Sequence, residues 1–138
     1  MNAVTARLVG EAMTRGLITV RASAPLYVAA QLMDAHRVHG LPVLDANGSL
    51  VGVLSQTDLL RANVDEHLWK DLRGLAVEHV MTAPAVTISL NARIEDAADL
   101  MEQHRVHRLV VVGPDGQTPV GVFSVTDLVH VMAGPDRS

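Results

Sequence analysis

The chain of 138 residues contains no cysteine. Disulfides, thiolate chemistry and zinc–cysteine sites are therefore excluded. Aromatic residues make up only 2%, namely Tyr27, Trp69 and Phe123. Binders of single-stranded nucleic acid stack bases on aromatic rings, and duplex binders need a basic patch. Here 11 Lys and Arg stand against 15 Asp and Glu, for a net charge of −4, and the basic residues are scattered. No nucleic-acid partner is expected. No apolar run approaches the roughly 20 residues of a membrane helix, and the N-terminus lacks a basic-then-apolar signal pattern. A soluble, cytoplasmic protein with no membrane partner is the expectation. The chain also lacks a Walker-type glycine loop and any nucleophile–base–acid constellation, so no catalytic residue is assigned and no enzyme is expected.

What the chain has is aliphatic residues and a repeat. Hydrophobic content is 49%, which with so few aromatics means a core of Val, Leu, Ala and Met. The string His36-Arg37-Val38-His39 returns 68 positions later as His104-Arg105-Val106-His107. Around it, Val9 to Thr14 matches Val77 to Thr82, each ending in Met-Thr. Two copies of one unit follow. A unit of roughly 60 residues buries too little surface to be comfortable alone, so the copies are expected to share one module.

Each copy reads β-α-β-β-α. Leu17 to Val20 and Ala85 to Ile88 are expected as short β-branched strands. The helices after them carry one apolar stripe each, Leu26, Ala29, Ala30 and Met33, and Ile94, Ala97, Ala98 and Met101. Ser23 and Asn91 are the nearest N-cap candidates, and Pro25 fits a first turn. The repeated string ends each helix and runs into Leu41–Leu44 or Leu109–Val112. Asn47-Gly48 and Asp115-Gly116 signal hairpin turns. Strands Val51–Leu54 and Val120–Phe123 return, and a last helix begins near Ser55 or Ser124. The fold class is α+β, with a leader over 1–8, units over 9–61 and 77–134, a connector over 62–76 and a tail over 135–138. A helix is expected from Ala62 to Leu72, carrying Leu68 and Trp69.

Two motifs offer chemistry. In Ser55-Gln56-Thr57-Asp58 and Ser124-Val125-Thr126-Asp127 a strand gives way to a helix, where free N–H groups and hydroxyls suit an anion. The same spacing also makes a capping box that needs no ligand, and one residue can serve both purposes. In His-Arg-Val-His, the first histidine suits a helix C-terminus. A metal reading of the i, i+3 histidines finds no carboxylate or cysteine to complete a ligand set, so no metal residue is assigned.

The ordered recurrence of Met-Thr, strand, helix ending in Arg-Val-His-x-Leu, and Gly-Val-x-Ser-x-Thr-Asp-Leu resembles the CBS (cystathionine-β-synthase) domain. Two in tandem resemble a Bateman module, and a stand-alone pair without a catalytic or transporter domain is the expectation. The resemblance implies two CBS domains packed with pseudo-two-fold symmetry, homodimers of such pairs, and clefts that bind adenosine compounds: AMP, ADP, ATP, S-adenosylmethionine or NAD species. No cofactor is obligatory. The aspartate is implied as the ribose ligand, with the serine and threonine by ribose and phosphate. One cleft would combine Ser55, Thr57 and Asp58 with Ala85, Val86, Val106, His107 and Arg108. The other would combine Ser124, Thr126 and Asp127 with Leu17, Ile18, Val38, His39 and Gly40. Arg108 recognises phosphate bidentately where Gly40 cannot, so the first cleft is expected to favour phosphorylated ligands. The function implied is a regulatory, ligand-sensing module. The alternative is an interaction module with empty clefts that docks a partner enzyme or transporter.

Overall fold

The computed structural model describes residues 7–64 and 74–134. The elements run α1 (Val9–Ala12), β1 (Val20–Arg21), α2 (Leu26–His36), β2 (Gly40–Leu44), β3 (Leu50–Ser55) and α3 (Gln56–Val64). After a 3₁₀ turn over Val77–His79 come β4 (Thr87–Ser89), α4 (Ile94–His104), β5 (Arg108–Val112), β6 (Pro119–Ser124) and α5 (Val125–Ala133). The expected connector helix lies outside the described residues beyond Val64.

Contacts divide the chain into two compact units, Ile18–Ala85, and Met1–Leu17 with Val86–Ser138. Chain order and packing order thus differ. The Val9–Thr14 segment, which opens the first repeat in sequence, packs in the unit built on the second. The first unit holds the sheet β1-β2-β3 and the second β4-β5-β6. In each sheet the first pair is parallel and the second antiparallel. Each has its own aliphatic core. Leu26, Ala29 and Met33 join Leu41, Val43 and Leu54 in one. Ile94, Ala97 and Met101 join Leu109, Val111 and Phe123 in the other. Burying each of the larger side chains contributes about 1.5–3 kcal/mol, so these stripes set which helix face meets the sheet. Ala30, expected in the stripe, is exposed.

Two sequence expectations shift. Leu17, Ile18, Ala85 and Val86 lie just ahead of the strands rather than in them. The two repeats differ here for a reason. Val110 donates its N–H to the Val86 carbonyl at 3.0 Å, and β4 pairs with β5 from Thr87 onward. Pro42 occupies the place of Val110 and has no N–H to give, so β1 pairs with β2 only from Val20. Ser23 and Asn91 are not caps. Pro25 and Arg93 hold that position, and the first helical N–H groups donate to backbone instead, Leu26 to the Leu75 carbonyl and Ile94 to that of Arg7.

The repeated string is a helix stop. Arg37 and Arg105 both adopt the left-handed conformation at φ 54°. The next N–H reaches back over the last turn, Val38 to the Met33 carbonyl at 3.1 Å and Val106 to that of Met101 at 3.0 Å. This is the Schellman pattern, with the valine side chain packed on the core.

Candidate functional site

The Ser-x-Thr-Asp motifs sit where β3 meets α3 and β6 meets α5. Each closes a reciprocal cap. Ser55 donates its N–H to Asp58 Oδ2 at 2.9 Å, and Asp58 returns its own N–H to Ser55 Oγ at 3.1 Å. Ser124 and Asp127 do the same at 2.9 and 3.2 Å. The capping role is therefore filled at both positions. Both aspartates are buried, at 1% exposure for Asp58 and 9% for Asp127. Thr57 and Thr126 are exposed beside them.

A third group reaches each carboxylate. Thr82 donates its hydroxyl to Asp58 Oδ1 at 2.9 Å, and Thr14 donates to Asp127 Oδ1 at 3.0 Å. These are the threonines of the two Met-Thr pairs. Backbone bonds hold them there. Val53 and Thr82 exchange N–H donors at 2.9 Å each, and Thr14 and Val122 do so at 2.8 and 3.2 Å. The close crossing explains a glycine in each returning strand. A Cβ on Gly52 would lie 2.7 Å from the Thr82 carbonyl oxygen and 2.9 Å from Met81 Sδ. On Gly121 the corresponding distances, to Thr14 and Met13, are 2.8 and 2.9 Å. Arg61, one turn along α3, adds an ion pair to Asp58 Oδ1. Sequence reasoning missed Thr14, Thr82 and Arg61. The doubled Met-Thr was a visible signal, but its partner lies 113 residues away for Thr14, and no local spacing shows that.

The string's second histidine arrives at the same place. The His39 carbonyl accepts the Gln56 N–H at 3.0 Å, and that of His107 accepts the Val125 N–H at 2.9 Å. Gly40 pairs with Ser55 and Arg108 with Ser124 across the sheets. One unit therefore brings His39 and Gly40 to Ser55 and Asp58, while the other brings His107 and Arg108 to Ser124 and Asp127. The grouping implied by the resemblance joined residues of opposite repeats, whereas these hydrogen bonds join residues of the same repeat. Val38 and His39 line an open pocket of about 300 Å³ together with Arg37 and Gln56. The His39 and His107 side chains are exposed, and Arg108 is half-buried with a partner of its own. Leu17, Ile18, Ala85 and Val86 are half-buried, with Ile18 and Val86 packed on the cores. Among the described residues no group of three His, Asp or Glu is placed to hold a metal ion. None of the described helices is long and apolar enough to cross a membrane.

A small mixed sheet with two helices, occurring twice and carrying the same capped aspartate, defines a tandem pair of CBS domains. The CBS domain family model matches residues 9–65 and 77–134, and the chain belongs to that family. A CBS domain-containing protein of Dictyostelium discoideum is 31% identical over 133 residues, covering 91% of this chain and 90% of that protein. The crystal structure of CBSX2 in complex with AMP, a protein of Arabidopsis thaliana, superposes with a TM-score of 0.77 at 32% identity, covering 93% of this chain and 97% of that one. The CBS domain of a bacterial CNNM/CorC family Mg2+ transporter in complex with ATP gives 0.76 at 25% identity, covering 94% and 89%. Some relatives are longer proteins, of which the chain spans 40% and 23%.

Proposed function

We propose that the chain is a regulatory module that senses an adenosine nucleotide, held at the two Ser-x-Thr-Asp helix starts. One observation carries this reading. In each unit a buried carboxylate, a serine and a threonine meet at one helix start beside the second histidine's backbone. A carboxylate accepts from a ribose diol, and the helix N-terminus and its hydroxyls favour phosphate. Ser55, Thr57 and Asp58, and Ser124, Thr126 and Asp127, are the ligand-holding residues. His39 with Gly40, and His107 with Arg108, flank them, and Leu17, Ile18, Val38, Ala85, Val86 and Val106 supply apolar wall. The AMP and ATP complexes of related proteins support this ligand class. Binding acts as a signal only through different affinity for two states of the protein, and no catalytic step is assigned.

Calorimetry with AMP, ADP, ATP, S-adenosylmethionine and NADH tests the reading. Saturable binding by at least one, weakened at least tenfold by Asp58→Asn with Asp127→Asn, is expected. Folded protein that binds none of the five would overturn it.

A second reading rests on a different observation. Val125, Val129 and Met132 fall on one face of α5 and are 40%, 56% and 73% exposed. An apolar helix face of this kind suits contact with another protein, and a homodimer is the occupant we propose. Light scattering on wild type and Val129→Glu checks it. A monomer of unchanged mass in both would remove it.

A further inference from the structure

We propose that Arg61 is a resident competitor for the ligand at Asp58, so that the two CBS domains differ in affinity for the ribose diol. The proposal rests on the nucleotide reading above. It adds which repeat is obstructed, and by what.

In both aspartates Oδ2 is turned to the cap, where it accepts the serine N–H. Oδ1 is turned to the Met-Thr threonine. A carboxylate oxygen has two lone-pair sites. At Asp58, Oδ1 accepts both the Thr82 hydroxyl and the Arg61 guanidinium, which fills it. At Asp127, Oδ1 accepts Thr14, and among the described residues no arginine or lysine bridges to it. The residue in the place of Arg61 is His130, since both stand three positions after the motif aspartate on the last turns of α3 and α5. The exposures agree: 1% for Asp58 against 9% for Asp127.

A diol approaching Asp58 must displace Arg61 from Oδ1, whereas one approaching Asp127 finds that position open. Arg61 itself is 69% exposed, so the pair it makes is of the weak, solvent-screened kind. Such pairs shift an equilibrium by about two- to fivefold. Adenosine is the suitable probe. It carries the diol without a phosphate that a released Arg61 would recapture.

The test exchanges the two residues. Full-length Asp127→Asn protein isolates the Asp58 domain, and Asp58→Asn isolates the Asp127 domain. Adenosine and AMP are titrated into each by calorimetry, with thermal unfolding run on every variant without ligand. In the first background, Arg61→His is expected to tighten adenosine about two- to fivefold. In the second, His130→Arg is expected to weaken it by a similar factor. Added salt should tighten adenosine at Asp58 when Arg61 is present and leave the Arg61→His protein unchanged. Equal affinity with and without Arg61, or weaker binding in Arg61→His, would overturn the proposal while leaving the nucleotide reading in place. Failure of both adenosine and AMP to bind any form would overturn this inference, and the nucleotide reading falls with it only if ADP, ATP, S-adenosylmethionine and NADH also fail to bind.

Discussion

Gly52→Ala puts a methyl group where the chain crosses itself most closely. The new Cβ would stand 2.7 Å from the Thr82 carbonyl oxygen and 2.9 Å from Met81 Sδ, against 3.4 Å or more for ordinary contact. The thioether is flexible and can swing away. The carbonyl is different, because it is pinned at 2.9 Å by the Val53 N–H. Moving it back by about 0.7 Å, the gap between 2.7 Å and 3.4 Å, stretches that bond past useful length and draws the Thr82 hydroxyl from Asp58. Overpacking costs about 1–3 kcal/mol and a lost hydrogen bond about 1 kcal/mol. A loss of about 2–4 kcal/mol follows, or a fall in Tm of roughly 5–20 °C. Urea titration followed by circular dichroism measures it, read from the midpoint at unchanged slope. Adding Met81→Ala should recover less than half, because the nearer obstacle is backbone. A change under about 0.5 kcal/mol, or full recovery with Met81→Ala, would refute the steric account.

Thr82→Val keeps the shape but removes a donor to a buried carboxylate, and should cost about 1.5–3 kcal/mol in the same titration, with Thr82→Ser recovering part of it. Arg37→Gly and Arg105→Gly relieve a left-handed backbone at φ 54° and should each stabilise by about 0.5–1 kcal/mol in thermal unfolding; destabilisation would contradict the cap geometry. The Asp115 carboxyl is lowered to about 2, first by the Thr118 hydroxyl and then by the Thr118 and Gln117 N–H groups. A lowered folded value means that its stabilisation is present above the ordinary carboxylate range and is lost as pH falls towards 2. An NMR titration of the Asp115 carboxyl should find a midpoint near 2, rising on Thr118→Val.

The fold was legible because its signals are periodic and doubled. The stripes through Leu26 and Met33, and through Ile94 and Met101, picked out the sheet-facing side of each helix, and the Asn-Gly and Asp-Gly turns placed the hairpins. The strand starts were not legible. Pro42 alters the ladder by the bond it lacks, and the matching bond in the other unit joins Val110 to Val86, 24 residues earlier, where no local spacing shows it. The caps at Ser55 and Ser124 were readable from three-residue spacing. The helix starts at Leu26 and Ile94 were not, because backbone from Leu75 and Arg7 took the place of a capping side chain. For the same reason the aspartates were found and their threonines were missed: Asp58 and Ser55 are neighbours in sequence, whereas Thr82 meets Asp58 only after the chain has folded.

The two repeats share the features that fold them and differ beside the proposed ligand-holding residues. The cap serine and aspartate, the Met-Thr threonine and the glycine beneath it occur in both units with nearly the same distances. Each satisfies a buried group or fits a close approach, so a change in either copy costs stability. Among their differences, Gly40 against Arg108 and Arg61 against His130 lie at the helix starts, and Pro42 against Val110 lies in the strand ladder beside them. None of these changes the sheet order or the cap. Two of them change what a ligand at a helix start would meet: Arg108 adds a cation opposite Ser124, and Arg61 occupies an oxygen of Asp58. Two sites of unequal preference are the outcome that these two differences support, and the Arg61–His130 exchange isolates one of the causes.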